Sequence, residues 1–178
     1  MKRLLLLSIG IFSSWNLLFA QRTVEIKKAN SLESGEHIGK EVKRLIGDVE
    51  RKDGNMYMYC DSAWLFPDNS IRAFNNLHIV KGDSVNLYGT TLNYNGVTRI
   101  AEIRGNVRLI QSGSTLTTEL LYYDMRSSLA NYPNGGTIVS KQNTLTSQYG
   151  YYNPRKRIFS FKKNVILTNP QYVMTCDT

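Results

Sequence analysis

The sequence has 178 residues, the size of one domain, and 11% of them are aromatic. Its 22 Lys and Arg against 14 Asp and Glu give a net charge of +8, which suits anionic partners without naming one. The two histidines, His37 and His78, are isolated, and neither has a second His or Cys at ligand spacing, which excludes a His/Cys zinc site.

Met1-Lys2-Arg3 is a short basic head, Leu4 to Leu18 is mostly apolar, and Leu18-Phe19-Ala20 ends on a small residue. That is the layout of a secretory signal peptide over residues 1–20, with cleavage expected after Ala20 and one domain over residues 21–178. A membrane anchor is the alternative. The run is broken by Ser13, Ser14 and Asn16, and it is short against the about 20 residues a span requires. No Cys follows it, so no lipid-modified N-terminus is expected. The mature chain keeps 20 Lys and Arg against 14 acids, a charge of +6. Export disfavours nucleic acid as a partner.

From Val24 onward the chain reads as strands and turns with no helix. Val24 to Leu32 is expected to be a half-unit, because Ala29-Asn30-Ser31 echoes Cys60-Asp61-Ser62. A pattern then recurs. Val42, Ile71, Ile100, Leu129 and Ile158 are each 29 residues apart, and so are Leu45, Phe74, Ile103, Tyr132 and Phe161. Met58, Leu87, Leu116, Leu145 and Met174 keep the same step of 29, as do Leu65, Tyr94, Tyr123 and Tyr152. A fixed period of this size is the signature of a repeat architecture.

Turn signals cut each period in two: Lys52-Asp53-Gly54-Asn55 and Pro67-Asp68-Asn69-Ser70 in the first copy, Gly82-Asp83 and Asn95-Gly96 in the second. Between them run segments rich in Val, Ile, Thr, Tyr and Leu, and short turns between such strands favour antiparallel hairpins. Small or turn-prone residues sit mid-strand in every copy: Gly47-Asp48, Asn75-Asn76, Gly105-Asn106, Gly135-Gly136 and Lys163-Asn164. Gly and Asn tolerate positive φ, so each pair predicts a bulge or bend. Bends at one level in every unit would fold the sheet into two facing halves. In the second copy Asn76 comes one residue early, and the phase is regained by Leu87.

Leu45, Phe74, Ile103, Tyr132 and Phe161 are expected to stack as one ladder, and Met58, Leu87, Leu116, Leu145 and Met174 as another, both between the halves. Taken singly, each residue reads as ordinary core. Taken together, with no helix or cap to close the space, the ladders read as a lipid-sized groove.

Cys60 and Cys176 hold equivalent positions four units apart. Strands stacked about 4.8 Å apart would separate them by about 20–40 Å, while a disulfide needs Cα atoms within about 7 Å. Both are expected to be small buried residues. Asp61 and Asp177 lie equally far apart and form no catalytic pair. No Gly-x-Ser-x-Gly elbow and no phosphate loop occur, so neither an enzyme nor a cofactor is indicated. Two basic clusters, Arg155-Lys156-Arg157 with Lys162-Lys163 and Lys40 with Lys43-Arg44, read as solvated surface or as a phosphate-contacting rim. The last unit stops partway, at Met174-Thr175-Cys176-Asp177-Thr178, which predicts either a longer parent protein or an open strand edge.

The Gly105-Asn106-Val107 motif, its variants Gly47-Asp48-Val49 and Asn164-Val165, and the strand Leu116-Thr117-Thr118-Glu119-Leu120-Leu121-Tyr122-Tyr123-Asp124 resemble the OstA-like N-terminal domain family. That domain is shared by the periplasmic lipopolysaccharide-transport protein LptA and the N-terminal part of the outer-membrane assembly protein LptD. The resemblance covers about Val24 to Thr178. It implies an all-β, folded-over antiparallel sheet (a β-taco or β-jellyroll) in the periplasm or against the outer membrane. It also implies acyl chains of lipopolysaccharide (lipid A) between the sheet halves, and end-to-end joining to other such domains by edge-strand addition. Two alternatives stand beside it. One is a parallel β-helix that binds polysaccharide or acts as an adhesin, and the other is a structural module that assembles edge to edge and carries nothing.

Overall fold

A computed structural model describes residues 24–83, 85–153 and 158–177. The expected signal peptide and the Arg155-Lys156-Arg157 cluster lie outside the described residues. Alternating apolar and polar residues between Gly-, Asn- and Asp-rich turns give the strands β1 (Val24–Lys28), β2 (Ser31–Gly35), β3 (Gly39–Asp53), β4 (Met56–Leu65), β5 (Ile71–Lys81), β6 (Val85–Asn95), β7 (Ile100–Gln111) and β8 (Ser114–Asp124). Shorter ones follow: β9 (Leu129–Tyr132), β10 (Gly136–Ser140), β11 (Asn143–Ser147), β12 (Tyr149–Asn153), β13 (Ile158–Lys162), β14 (Val165–Asn169) and β15 (Tyr172–Cys176). All belong to one sheet, and every pairing is antiparallel. The parallel β-helix expectation is therefore overturned. Residues on either side of Asn95-Gly96 pair across a hairpin, Tyr94 with Ala101. The Val24–Leu32 segment forms β1 and β2, which pair with the two halves of β3.

Side-chain oxygens hold the turns. Asn95 Oδ1 accepts the amides of Val97 and Thr98 at 3.0 and 2.7 Å. Asp124 accepts the amide of Arg126 at 2.8 Å and the hydroxyl of Ser127 at 2.7 Å. These are the local reversals that Asn and Asp favour. The bonds hold the Asp124 carboxyl below its ordinary range, with the Ser127 hydroxyl the leading cause.

The sheet is creased where the mid-strand pairs fall. Gly47 (φ 75) with Asp48 (φ 47), Asn75 (57) with Asn76 (48), Gly105 (78) with Asn106 (49), and Lys163 (60) with Asn164 (51) are consecutive left-handed residues. The register slips at each of the first three, between Ile46 and Val49, Phe74 and Leu77, and Arg104 and Val107. The fourth copy differs from expectation. Only Gly135 of the Gly135-Gly136 pair is left-handed, while Gly136 begins β10. From this copy onward the crease interrupts the strands outright, which is why the later ones are short.

An acid on the partner strand fastens three of these bends. Asp61 accepts both carboxylate bonds from Asn76 Nδ2 at 3.0 Å, Glu119 accepts the Asn106 amide at 3.4 Å, and Asp177 accepts the Asn164 amide at 3.3 Å. The aligned acids thus stabilise backbone that L residues otherwise avoid.

On the outer face of one half, Tyr59, His78 and Tyr88 stack across adjacent strands, with ring centroids 5.8 and 4.3 Å apart, and the Arg108 guanidinium lies 4.7 Å over Tyr88. His78 also bonds Asn86 at 3.0 Å. These partners account for His78 as a structural residue of the outer surface.

Candidate functional site

The two inner faces supply the site. Beyond the crease on one side, successive strands bring Arg51, Met58, Ile79, Leu87, Leu109, Leu116, Ile138, Leu145, Leu167 and Met174 into one cross-strand row. All five residues expected on that ladder lie on it. On the other side, Leu45, Ala63, Ala73, Leu92, Ile103 and Leu121 form the matching row, and Tyr132, Gly150 and Phe161 continue it.

Phe74 is not on that row, a correction to the expected ladder. Ala73 takes the place, 28 residues after Leu45 and 30 before Ile103. Phe74 pairs with Ser62 and Thr91 on the opposite face. A shift of one residue in a strand sends every side chain to the other side. Ile71 confirms the early phase. It is 4% exposed, whereas Ile100, Leu129 and Ile158, read as its equivalents, are 42%, 40% and 52% exposed; Val42, the first of that register, is buried at 8%.

At the crease itself larger and smaller residues face each other, Val49 with Cys60, Leu77 with Gly89 and Val165 with Cys176, while Val107 faces the similarly sized Thr118. A Cβ on Gly89 would lie 2.6 Å from Ile103 Cγ2, so the missing side chain is what lets Ile103 seat there. Further along, the Tyr132 ring lies over Gly136 and Gly150, and a Cβ on either would overlap it. Its hydroxyl shares a 2.7 Å hydrogen bond with Ser147 Oγ. Burial raises the Tyr132 phenol above its usual value, and the Ser147 bond opposes the rise.

Packing changes along the stack. In the N-terminal units the halves meet without a gap, with Leu45, Met58 and Ile103 at 0%, 3% and 1% exposure. From β7 onward they separate. A cavity of about 530 Å³ opens between Leu109, Leu116 and Ile138 on one side and Leu121, Tyr132, Tyr152, Phe159 and Phe161 on the other. Tyr152 stacks on Phe159 at 4.1 Å, and Phe159 on Phe161 at 6.1 Å, giving that wall an aromatic lining. Of the groove candidates, the structure brings together Leu116, Tyr132 and Phe161. Leu45, Met58 and Ile103 are packed core, and Leu87 and Leu145 are half-buried on their row. Leu109 and Ile138 were missed. They are the cross-strand partners of Leu116, and counting across the two adjoining turns would have found them. Among the described residues, no group of three His, Cys, Asp or Glu side chains is placed to hold a metal.

The cysteines are unbridged, Cys60 buried and Cys176 exposed. The exposure of Cys176 corrects the expectation that both are buried, because among the described residues β15 pairs with β14 alone. Burial pushes the Cys60 thiol up to about 11, and the nearby Asp61 charge adds to the rise. An unfolded thiol ionises near 8.5. Between about 8.5 and about 11 the unfolded chain has therefore lost a proton that the folded one keeps, so stability falls as pH rises through that window. Denaturation midpoints measured across it should drop more for the wild type than for Cys60→Ala.

With this geometry in view, the comparison with known proteins is direct. The sequence matches the OstA-like protein family over residues 21–177. The chain belongs to that family. No curated protein matches it. Among solved structures, this OstA-like chain is similar to the crystal structure of LptH from Pseudomonas aeruginosa, described as the LptA homologous periplasmic component of the conserved lipopolysaccharide transport device. The two are 16% identical with a TM-score of 0.53, over 61% of this chain and 80% of that one. The likeness establishes a shared fold.

Proposed function

We propose that this OstA-like chain is an exported, non-enzymatic carrier whose folded-over sheet shelters the acyl chains of lipopolysaccharide in the periplasm, as part of outer-membrane assembly. The observation that carries the reading is the aromatic-walled cavity of about 530 Å³ between the sheet halves, lined mainly by apolar side chains with Gln111, Ser112, Ser114 and Asn131 among them. Each acyl CH₂ left in water costs about 0.8 kcal/mol. A trough that keeps the tails dry while sugars and phosphates stay wet lowers that cost without bond-making or a cofactor. The name of the solved relative, a lipopolysaccharide transport component, points the same way. Residues 1–20 serve as the signal peptide in this reading, and residues 21–178 form the carrier domain.

The sheet path runs from β1 to β15, and strands at both ends leave backbone groups for another β-taco domain to pair with. End-to-end joining through those edges would extend the trough between membranes.

A photoreactive residue at Phe161 should crosslink to lipopolysaccharide, and one at the outward-facing Val139, 45% exposed, should not. Equal labelling from both positions would defeat the reading.

A further inference from the structure

We propose that one lip of the fold is a membrane-contact edge, which seats on a bilayer surface rich in anionic phospholipid. The lip is the row of turns after β4, β6 and β8, at the tips of the half that carries Leu45, Ile103 and Leu121. The carrier reading does not require the protein itself to touch a membrane, so the inference goes beyond it.

Exposed aliphatic side chains gather on this lip. Val97, in the turn after β6, is 64% exposed, and Ile100 and Leu129, the first residues of β7 and β9, are 42% and 40% exposed. Their neighbours Ala101 and Ala130 are the inward ones, at 8% and 6%. Ile100 pairs with Asp124, and Asp124 with Leu129, so the three share one outward row beside the turns. Both β7 and β9 have a strand on each side, so this exposure belongs to the outer face of the sheet and not to one of its ends.

Hydrogen bonds between successive turns make the lip a continuous ridge. The Gly96 amide donates to Ser70 Oγ at 2.9 Å, the Met125 amide to the Arg99 carbonyl at 3.0 Å, and Arg126 Nη2 to the Val97 carbonyl at 2.6 Å. A ridge ordered in advance loses little entropy on contact. Arg72, Arg99 and Arg126 are exposed along it, with the Arg72 guanidinium 5.4 Å over the Phe66 ring. The two turn carboxylates, Asp68 and Asp124, are bonded back into their own turns, to Ser70 and to Arg126 and Ser127.

Aliphatic side chains beside arginines suit the boundary of acyl tails and phosphates. The first enter the hydrocarbon, and the second stay at headgroup level. The net charge of +6 without residues 1–20 acts in the same sense at an anionic surface. The facing lip has the opposite character, for its turns Gly54-Asn55, Gly82-Asp83 and Ser112-Gly113 carry no aliphatic side chain. Contact through the first lip sets the mouth of the trough against the bilayer, because Tyr123 pairs with Ala101 and Ala130, one residue inside Ile100 and Leu129. If the carrier reading holds as well, acyl chains pass between bilayer and trough along this edge without crossing water.

The test uses wild-type residues 21–178, since the apolar run in residues 1–20 would bind vesicles by itself. The protein should sediment with phosphatidylglycerol vesicles and not with phosphatidylcholine vesicles, and added salt should weaken the binding. Ile100→Ser combined with Leu129→Ser should lower the partition constant about tenfold, the equivalent of about 1.4 kcal/mol. Arg99→Asn should lower it about fivefold, the equivalent of about 1 kcal/mol for one basic residue at an anionic surface. Asparagine tolerates the left-handed backbone of Arg99, at φ 61. On phosphatidylglycerol vesicles the emission of Leu129→Trp should move to the blue and that of Val139→Trp should not. Crosslinking of lipopolysaccharide at Phe161 should survive the double substitution. A wild type that ignores both kinds of vesicle yet still crosslinks lipopolysaccharide would overturn the membrane edge and leave the carrier reading intact. Equal blue shifts from Leu129→Trp and Val139→Trp, or vesicle binding untouched by the double substitution, would overturn it as well.

Discussion

Ile138→Asp is expected to lower the affinity for lipopolysaccharide at least tenfold, whereas Val139→Asp should leave it within about twofold. The two residues are adjacent on β10 and point to opposite faces. Ile138 lines the cavity across from the aromatic wall, and Val139 is 45% exposed on the outside. A carboxylate at 138 would either remain hydrated, holding water among the acyl chains, or be stripped of water at a cost of several kcal/mol. Tenfold corresponds to only about 1.4 kcal/mol, well within that cost. Binding of labelled lipopolysaccharide, with circular dichroism to show that the sheet survives, measures the contrast. Parallel losses in both variants would mean that the inner face is not the binding surface.

Leu45→Ala should destabilise the domain by about 3–5 kcal/mol, the upper part of the range for a fully buried leucine. Leu45 has no exposed surface and packs in the closed part of the stack beside Val49, Met58 and Ala63. Phe161→Ala removes a larger side chain but should cost under about 1.5 kcal/mol, because its environment is already an open cavity and part of the ring is in contact with solvent. Guanidinium denaturation compares the two. A phenylalanine that costs as much as the leucine would show that the C-terminal units are packed as tightly as the first three, leaving no room for a tail.

Much of this architecture could be read from residue order. The antiparallel hairpins follow from turn chemistry at sites such as Asn95-Gly96, and the crease follows from Gly47-Asp48, Asn75-Asn76 and Gly105-Asn106. The row through Met58, Leu87, Leu116 and Leu145 was legible because each of these strands keeps its phase. Phe74 was misplaced for a physical reason. Ala73 and Phe74 are both apolar, so hydrophobicity alone cannot say which one faces inward, and the larger residue was the natural choice. Cross-strand pairing decides it, since Ala73 sits between Ala63 and Leu92.

Where the trough opens was not legible at all. That depends on which volumes oppose one another across the fold, such as Ile103 against Gly89 and Tyr132 against Gly136 and Gly150, and a linear pattern of apolar residues does not carry those distances. The acids at the bends were readable as aligned positions, but their partners, Asn76 for Asp61 and the Asn164 amide for Asp177, appear only once the register is known.

Each long strand from β4 to β7 bonds only to the strands before and after it in the chain. Nearly all its contacts are therefore local in sequence, which shortens the conformational search and lets each arm dock onto one already formed. Such a molecule can assemble progressively from its first arms. It can also gain or lose a whole hairpin through duplication or deletion of one gene segment, with little disturbance to the remainder. Reach across a compartment then becomes a quantity that evolution can adjust by counting.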